Sequence, residues 1–193
     1  MKNKTSWSNR FKNKTSQSFQ KIGSSIHIDK RLYEQDIAAS IIHTQMLMKQ
    51  KIIKNEDGNK ILNGLKKIKA QINKGSFEFK EKYEDIHLNI EKALFEIIGP
   101  SAGFLHTARS RNDQVVTDFK LWIKEASKDI IKDISVVMKN IIKKAEKNTD
   151  TVMPGLTHLK NAQPISFAHY LLSYYEMLKR DKKRFKNNLE LLD

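Results

Sequence analysis

The sequence contains no cysteine, and only three of its 193 residues are prolines. The absence of cysteine excludes a disulfide framework and thiolate metal sites. No run of 18 apolar residues occurs, so we expect no membrane-spanning segment and no membrane partner. The first twenty residues lack the apolar core of a secretory signal, and their cations are mostly lysine, whereas transit peptides are rich in arginine. We therefore predict a cytoplasmic protein.

Acidic residues are outnumbered by basic ones, 22 against 36, which gives a formal net charge of +14. A clustered basic face would attract nucleic acid. The lysines are scattered along the whole chain, however, and no nucleic-acid-binding motif accompanies them. We interpret the charge as a solvated surface and predict no nucleic-acid partner; a basic nucleic-acid binder is kept as the weakest alternative.

Apolar residues recur at helical spacing along most of the chain, and no strand pattern competes with them, although residues 76–79 could be extended. Glycine and proline mark several of the ends. Helices are predicted at residues 30–49, 58–74, 85–98, 113–147 and from 165 to the chain end. The pattern predicts an all-α protein.

The fourth predicted helix has about 35 residues and a length of roughly 50 Å. A compact globule of this chain length has a diameter of about 42 Å. The apolar residues of the helix, from Phe119 to Ala145, advance in steps of three or four, which indicates a bundle seam. We expect this seam to be covered by other chains, by sequence outside this chain, or by both.

A dense polar cluster precedes the long helix in the stretch LHTARSRNDQ. Asn112 or Asp113 is the predicted N-cap, so the unpaired N–H groups and positive dipole end of the helix would face a neighbouring anion. Ser110 adds a donor. Arg109 and Arg111 suit either a bidentate grip on a carboxylate or an ordinary salt bridge at the helix start, and their spacing leaves both open.

A second cluster, PGLTHLKNAQP, presents Thr157 and His158 in what we predict to be a proline-bounded loop. Loops on a rigid scaffold often carry catalytic groups. The spacing by itself favours a packing or capping role for His158, since nothing local supplies an orienting partner. The other histidines show no metal-ligand spacing, and no phosphate or dinucleotide motif occurs. We therefore predict no metal and no cofactor.

The two clusters, read as LHTARSRNDQVVTDFKLW and DTVMPGLTHLKNAQPISFAHYLLSYYEMLKRD, resemble the argininosuccinate lyase family of the fumarase and aspartase superfamily. The similarity extends to Trp7, Arg10 and Phe11, to DKRLYEQDIAASIIH, and to YEDIHLNIEKAL. It implies the superfamily's all-α long-helix bundle, here truncated. An N-terminal, mostly helical domain would span residues 1–110, and the first part of the central bundle domain would span residues 111–193.

The resemblance also implies an activity, the reversible cleavage of argininosuccinate to arginine and fumarate, in a homotetramer. Removing a proton beside a carboxylate builds negative charge that preorganised donors stabilise. The family pattern implies that His158 is the catalytic histidine. It places substrate contacts at Ser25, Asp29, Ser110, Arg111, Asn112 and Thr157, with His87 nearby.

Several positions depart from the family pattern. Ser8 and Asn9 stand where two glycines are usual, Ala108 replaces a glycine, and Lys160 replaces a glutamine. The family's third signature region, a loop carrying the proton-abstracting serine, does not occur before Asp193. The resemblance therefore implies a truncated lyase that is inactive alone. The alternative is a non-catalytic helical assembly subunit on the same fold.

Overall fold

The structure, a computed structural model, describes residues 16–192. The part of the resemblance carried by Trp7, Arg10 and Phe11 lies outside the described residues, as do Ser8 and Asn9. Most of the basic stretch that was considered as a targeting signal lies outside them as well.

Residues 16–192 form α-helices, two strands and three short 3-10 segments. The α-helices are α1 Gln17–Gly23, α2 Ile26–Asp29, α3 Tyr33–Lys49, α4 Asn55–Asn73, α5 Ile86–Ile98, α6 Arg111–Glu146 and α7 Phe167–Glu190. The strands are β1 Val152–Thr157 and β2 Lys160–Ser166. The 3-10 segments are Lys30–Leu32, Glu81–Tyr83 and Gly99–His106.

The five predicted helices are present as α3 to α7, so the prediction of a helical fold is confirmed. Their ends lie within three residues of the predicted ends. The hydrophobic spacing located them because each helix buries one apolar face. Within the described part of the chain, residues 76–79 form no strand.

The segment between α6 and α7 corrects the prediction of an irregular loop. It is an antiparallel hairpin in which Pro154 pairs with Pro164 and Thr157 pairs with Lys160. Both strands of a two-stranded sheet are edge strands, and an edge tolerates proline because one side of it makes no ladder hydrogen bonds. Gly155 lies at a register shift, where a Cβ would come within 2.8 Å of the Gln163 carbonyl oxygen.

The chain divides into two compact units, and the division lies within α6, between Phe119 and Lys120. In the first unit α4 lies against both α3 and α5. Its core is formed by aliphatic side chains that are fully buried, namely Ile37, Leu47, Ile61, Leu65, Ile68, Ile86, Ile90 and Leu94. The predicted domain boundary after residue 110 lies earlier in the chain and stays a prediction.

A glycine permits the close approach of α4 and α5. A Cβ on Gly64 would lie 2.5 Å from Leu94 Cδ1 and 3.2 Å from Ile98 Cγ2. Real Cβ atoms do not approach a carbon to 2.5 Å, so Leu94 occupies space that any other residue at position 64 would claim. This packing holds the helix that carries His87.

The second unit contains the remainder of α6, the hairpin and α7. Ser166 caps α7 by accepting a hydrogen bond from the His169 N–H at 3.1 Å. Large apolar side chains on both helices are exposed, including Val136 and Val137 on α6 and Leu172 and Met177 on α7. None of the helices in residues 16–192 is long and apolar enough to cross a membrane.

Candidate active site

Two predicted substrate contacts meet at the N-terminus of α5. Ser25 Oγ donates to Asp29 Oδ2 at 2.6 Å, and Asp29 Oδ1 accepts from the Ile86 N–H at 3.1 Å. Asp85 caps the same helix by accepting from the Leu88 N–H at 2.6 Å. Burial, followed by the charge of Asp85, raises the pKa of Asp29, although the bond from Ser25 opposes the shift. Ser25 and Asp29 therefore adjoin the turn of α5 that carries His87.

His87 is not exposed beside this turn but buried beneath it, with a relative exposure of 2%. Its Nδ1 lies 3.0 Å from Asp36 Oδ1 and 3.4 Å from Asp118 Oδ2. Both aspartates are fully buried. We call Asp36, His87 and Asp118 the buried triad. The buried His87 imidazole could contact a substrate only if the protein moved, or act on it only through other side chains. The predicted contact of His87 with substrate stays a prediction.

The two carboxyl groups of the buried triad have opposite protonation tendencies. Burial raises the pKa of Asp36, but hydrogen bonds and charge from His87, with donors from Asp118 and Gln114, outweigh it and hold the pKa below its ordinary value. Burial and the neighbouring charge of Asp36 raise the pKa of Asp118 to about 8. Burial lowers the pKa of His87, but Asp36 raises it above its ordinary value. At neutral pH the triad therefore holds a neutral Asp118 carboxyl beside an Asp36 carboxylate.

A buried glutamine connects this triad with Arg111. Gln114 Nε2 donates to Asp36 Oδ1, and Gln114 Oε1 accepts from Arg111 Nη1. Arg111 also pairs with Glu91 Oε1 at 2.8 Å through Nη2, and its Nε lies 3.9 Å from Asp85 Oδ2. A guanidinium has five N–H donors, more than these three partners require. Arg111 is therefore held in one place and still has donor capacity.

The loop before α6 is anchored on α3. Arg109 Nη1 donates to the buried Ser40 Oγ at 2.9 Å, and His43 Nε2 lies 3.0 Å from the Thr107 carbonyl oxygen. Arg109 thus holds the loop through a hydrogen bond to a hydroxyl, which is neither the carboxylate grip nor the salt bridge that its spacing with Arg111 left open. Ala108, between Thr107 and Arg109, has a φ of 53°, a left-handed conformation that favours glycine.

The start of α6 corrects the predicted N-cap. The helix begins at Arg111, so Ser110 occupies the cap position in place of Asn112 or Asp113. Ser110 Oγ accepts from the Asn112 N–H at 3.2 Å, and the Ser110 N–H donates to Asp113 Oδ2 at 3.3 Å. This reciprocal arrangement is similar to a capping box, although the hydroxyl accepts from the second helical N–H and not from the third. The Ser110 hydroxyl still has a hydrogen to donate, and the Asn112 side chain is exposed.

Thr157 and His158 lie in the hairpin of the second unit. His158 and Leu159 form its two-residue turn, with φ values of 49° and 65°. Turns with two positive φ values favour Asn-Gly, and such values strain residues with a branched side chain. Both Thr157 and His158 are exposed. The hairpin thus presents the His158 imidazole to solvent from a defined turn.

The buried triad also has the side-chain types of a metal site, since its three ligand atoms lie within 4.8 Å of one another. His87 Nδ1 and Asp36 Oδ1, however, are already paired with each other at 3.0 Å. Asp36 Oδ1 accepts from Gln114 too. The arrangement is explained by hydrogen bonding and a shared proton, and the absence of a metal remains our prediction.

Four residues of this network were not predicted from the sequence, namely Asp36, Glu91, Gln114 and Asp118. A signal was present, because Arg111, Gln114 and Asp118 follow one another at helical spacings of three and four residues and so share a face of α6. Polar residues on the inner face of a predicted helix indicate a buried network. Asp36 carried no such signal, since its partners lie on other helices.

Comparisons with known proteins place these features in a family. A sequence model of the lyase family matches residues 9–192. The argininosuccinate lyase of Pelagibacter ubique is 59% identical over 186 residues, which are 96% of this chain and 40% of that protein. The argininosuccinate lyase of Bartonella bacilliformis is 46% identical over 97% of this chain and 40% of its own length. The chain therefore spans about two fifths of the relatives it matches.

Solved structures show the same fold. An EDDS lyase crystallised with formate has a TM-score of 0.73 and 28% identity, over 83% of this chain and 31% of that chain. A fumarate lyase from Mesorhizobium has a TM-score of 0.67 at 17% identity, over 92% of this chain and 41% of that chain, and shows the fold alone.

Proposed function

The chain belongs to the lyase family whose model matches residues 9–192, and from this we propose that it is the N-terminal part of an argininosuccinate lyase. The reaction is the reversible cleavage of argininosuccinate to arginine and fumarate, the last step of arginine synthesis. The observation that carries the proposal is the grouping of Ser25, Asp29, Arg111 and the α6 N-terminus around the start of α5 within a chain 59% identical to such an enzyme.

The start of α6 suits the carboxylates of this substrate. The N-terminus of a 36-residue helix provides a positive dipole end. The Ser110 hydroxyl, the Asn112 amide and the remaining N–H groups of Arg111 add donors at the same point. These donors stabilise the charge that develops on a carboxylate when the adjacent carbon loses a proton.

The elimination breaks one C–N bond and one C–H bond. A base, which the resemblance places in the family's third signature region, takes the proton of the C–H bond, and the electron pair of that bond forms the double bond of fumarate. The pair of the C–N bond stays with the departing guanidino nitrogen, and that nitrogen takes a proton. We assign His158 to the transfer of protons in this step, with Thr157 beside it as a substrate contact. An imidazole exchanges protons at neutral pH, and the turn of the hairpin holds this one in a defined place.

The proposal extends to the protein's location, assembly and ligands. The protein would work in the cytoplasm as a homotetramer, with neither metal nor cofactor, and would bind argininosuccinate, arginine and fumarate. The exposed apolar side chains of α6 and α7 support assembly, because they form a surface that a bundle would bury. The chain by itself should release no fumarate.

A chimera tests the proposal. This chain would replace the matching 186 residues of the Pelagibacter ubique enzyme, and fumarate release from argininosuccinate would be followed by absorbance. We expect turnover within about tenfold of the parent enzyme. His158→Ala in the chimera should lower kcat by about 10²-fold or more, the usual contribution of a positioned acid or base.

His169→Ala provides the matched control, because His169 is an exposed histidine of the same unit in α7. It should leave kcat unchanged. A chimera that assembles like its parent but releases no fumarate would instead support the non-catalytic assembly subunit.

A further inference from the structure

We propose that Gln114 is a positioning residue that orients the guanidinium of Arg111, and that a proton held by Asp118 allows Asp36 to fix Gln114. The inference deepens the proposed function, because Arg111 is one of the residues assigned to the substrate. It adds Asp36, Gln114 and Asp118, to which the family resemblance gave no role.

Hydrogen bonds connect the buried triad with Arg111, the predicted substrate contact. Gln114 is buried, with 3% exposure. Its amide nitrogen is committed to Asp36 and its amide oxygen to Arg111. Because the two ends of the amide have different chemistry, Asp36 decides which end faces Arg111. The guanidinium then meets an acceptor and not a second donor.

The charges of the buried triad favour a proton on Asp118. Two ionised carboxylates and a neutral imidazole would bury two negative charges, which is costly without compensation. Carboxylates without a proton also cannot hydrogen-bond to each other, and both oxygens of Asp118 then lack a donor. With Asp118 protonated and His87 in its charged imidazolium form, the charges of His87 and Asp36 cancel and the triad has no net charge. Asp36 then keeps the full carboxylate that Gln114 binds.

Other charged groups face the triad from several elements. Arg109, in the loop before α6, favours the ionised form of Asp118, and Asp85 at the start of α5 favours the charged form of His87. Burial of Asp118 and the neighbouring charge of Asp36 both oppose its ionisation and outweigh the effect of Arg109. The balance leaves the proton on Asp118.

The first experiment uses NMR of the whole 193-residue chain and needs no substrate. The pH titration of the His87 imidazole would be compared in wild type, Asp36→Asn and Asp118→Asn. Asp36→Asn removes a carboxylate charge and should lower the His87 midpoint by about one pH unit. Asp118→Asn replaces one neutral group by another of the same shape. The His87 titration, followed below pH 7 where Asp118 holds its proton, should therefore keep its midpoint within about 0.3 pH units of wild type. If both variants lower it equally, Asp118 is ionised and the proposal is overturned.

The second experiment follows the guanidinium of Arg111, with its signals assigned by their loss in Arg111→Lys. Gln114→Met keeps the side-chain volume but removes both hydrogen bonds. It should speed rotation of the guanidinium, so that separate Nη signals merge, and should weaken fumarate binding at least tenfold. Gln35→Met makes the same substitution at another buried glutamine and should leave the Arg111 signals unchanged. Unchanged Arg111 signals in Gln114→Met would overturn the proposal.

The substrate role of Arg111 and the hydrogen-bond network that orients it are tested by different measurements. If the wild-type chain binds no fumarate, the result counts against the substrate role of Arg111. The His87 titration and the Arg111 signals still decide whether the network exists.

Discussion

At the scale of single residues, Asp36 and Asp118 show how neighbours decide protonation. Both are aspartates and both are buried, yet the pKa of one is lowered and that of the other is raised to about 8. Asp36 receives hydrogen bonds from His87 and Gln114, whereas Asp118 faces the Asp36 carboxylate. The first carboxylate to be satisfied suppresses ionisation of the second.

This difference predicts a pH dependence of stability. An Asp118 carboxyl with a raised pKa keeps its proton in the folded protein where the unfolded chain has lost it, from about pH 4 to about pH 8. Folded stability should therefore fall as pH rises across this range, by up to about 1.4 kcal/mol per pH unit for one proton. Asp118→Asn removes this contribution. Urea unfolding at several pH values should give a flatter profile for the variant.

The window from pH 5 to 6.5 isolates Asp118 most clearly, because there the carboxyl is protonated in the folded protein and ionised in the unfolded chain. The histidines titrate there too, but their contributions to the free energy of unfolding cancel in the difference between wild type and variant. A wild-type profile no steeper than that of Asp118→Asn in this window would show that the carboxyl is ionised in the folded protein.

Ala108 supports a second prediction at this scale. Its φ of 53° costs an alanine about 1 kcal/mol or more relative to glycine, part of which is offset by the greater unfolded-state entropy of glycine. Ala108→Gly should therefore stabilise the protein by about 0.5 to 1 kcal/mol in urea unfolding. Ala70→Gly, at an exposed position of α4, should destabilise it by about 0.5 to 1 kcal/mol. Equal losses in both variants would contradict the strain argument.

At the scale of the element, α4 and α5 are joined by contact that one glycine permits. Gly64→Val should destabilise the first unit by about 2 kcal/mol, because the new side chain needs space that Leu94 and Ile98 occupy. Asn63→Val, on an exposed part of the same helix, should cost well under 1 kcal/mol. Thermal unfolding measures both, and similar melting temperatures would show that the helices separate easily.

The hairpin turn is the second element with a testable strain. His158→Asn with Leu159→Gly would place the preferred sequence at two positions of positive φ. The double variant should stabilise the chain by about 1 to 2 kcal/mol. In the chimera it should lower kcat by about 10²-fold or more, as expected for His158→Ala, since it removes the imidazole. A gain in stability without loss of turnover would show that this turn serves folding only.

At the scale of the whole molecule, the second unit leaves apolar surface uncovered. Val136 and Val137 on α6 are about half exposed, at 53% and 48%, and Leu172 and Met177 on α7 are exposed at 42% each. Solvated helices of a monomer rarely show so much apolar surface along their length. The surface favours burial against other helices of the same kind.

We therefore expect the purified chain to self-associate. Sedimentation velocity should show species larger than 22.5 kDa at micromolar concentration, and Val137→Lys should shift them towards the monomer by placing a charge in the apolar contact. Lys139→Ala, at an exposed position nearby on α6, serves as the control. A monomeric wild type would contradict the seam argument.

The sequence by itself determined the helices, because hydrophobic spacing is a local property that each helix must satisfy in order to bury one face. It also determined the family, through the stretches that contain Ser110 to Asn112 and Thr157 to His158. Both are patterns along the chain, and both can be read without coordinates.

Only the tertiary structure decided the buried triad and the hairpin. Asp36, His87 and Asp118 lie on three different helices, so no spacing along the chain joins them. The hairpin depends on cross-strand pairing that outweighs its two prolines and on a turn with unfavourable φ values, and the local preferences of the residues disfavour both. The protonation of Asp118 follows from the same cause, since the carboxylate that opposes its charge is 82 positions away in the sequence.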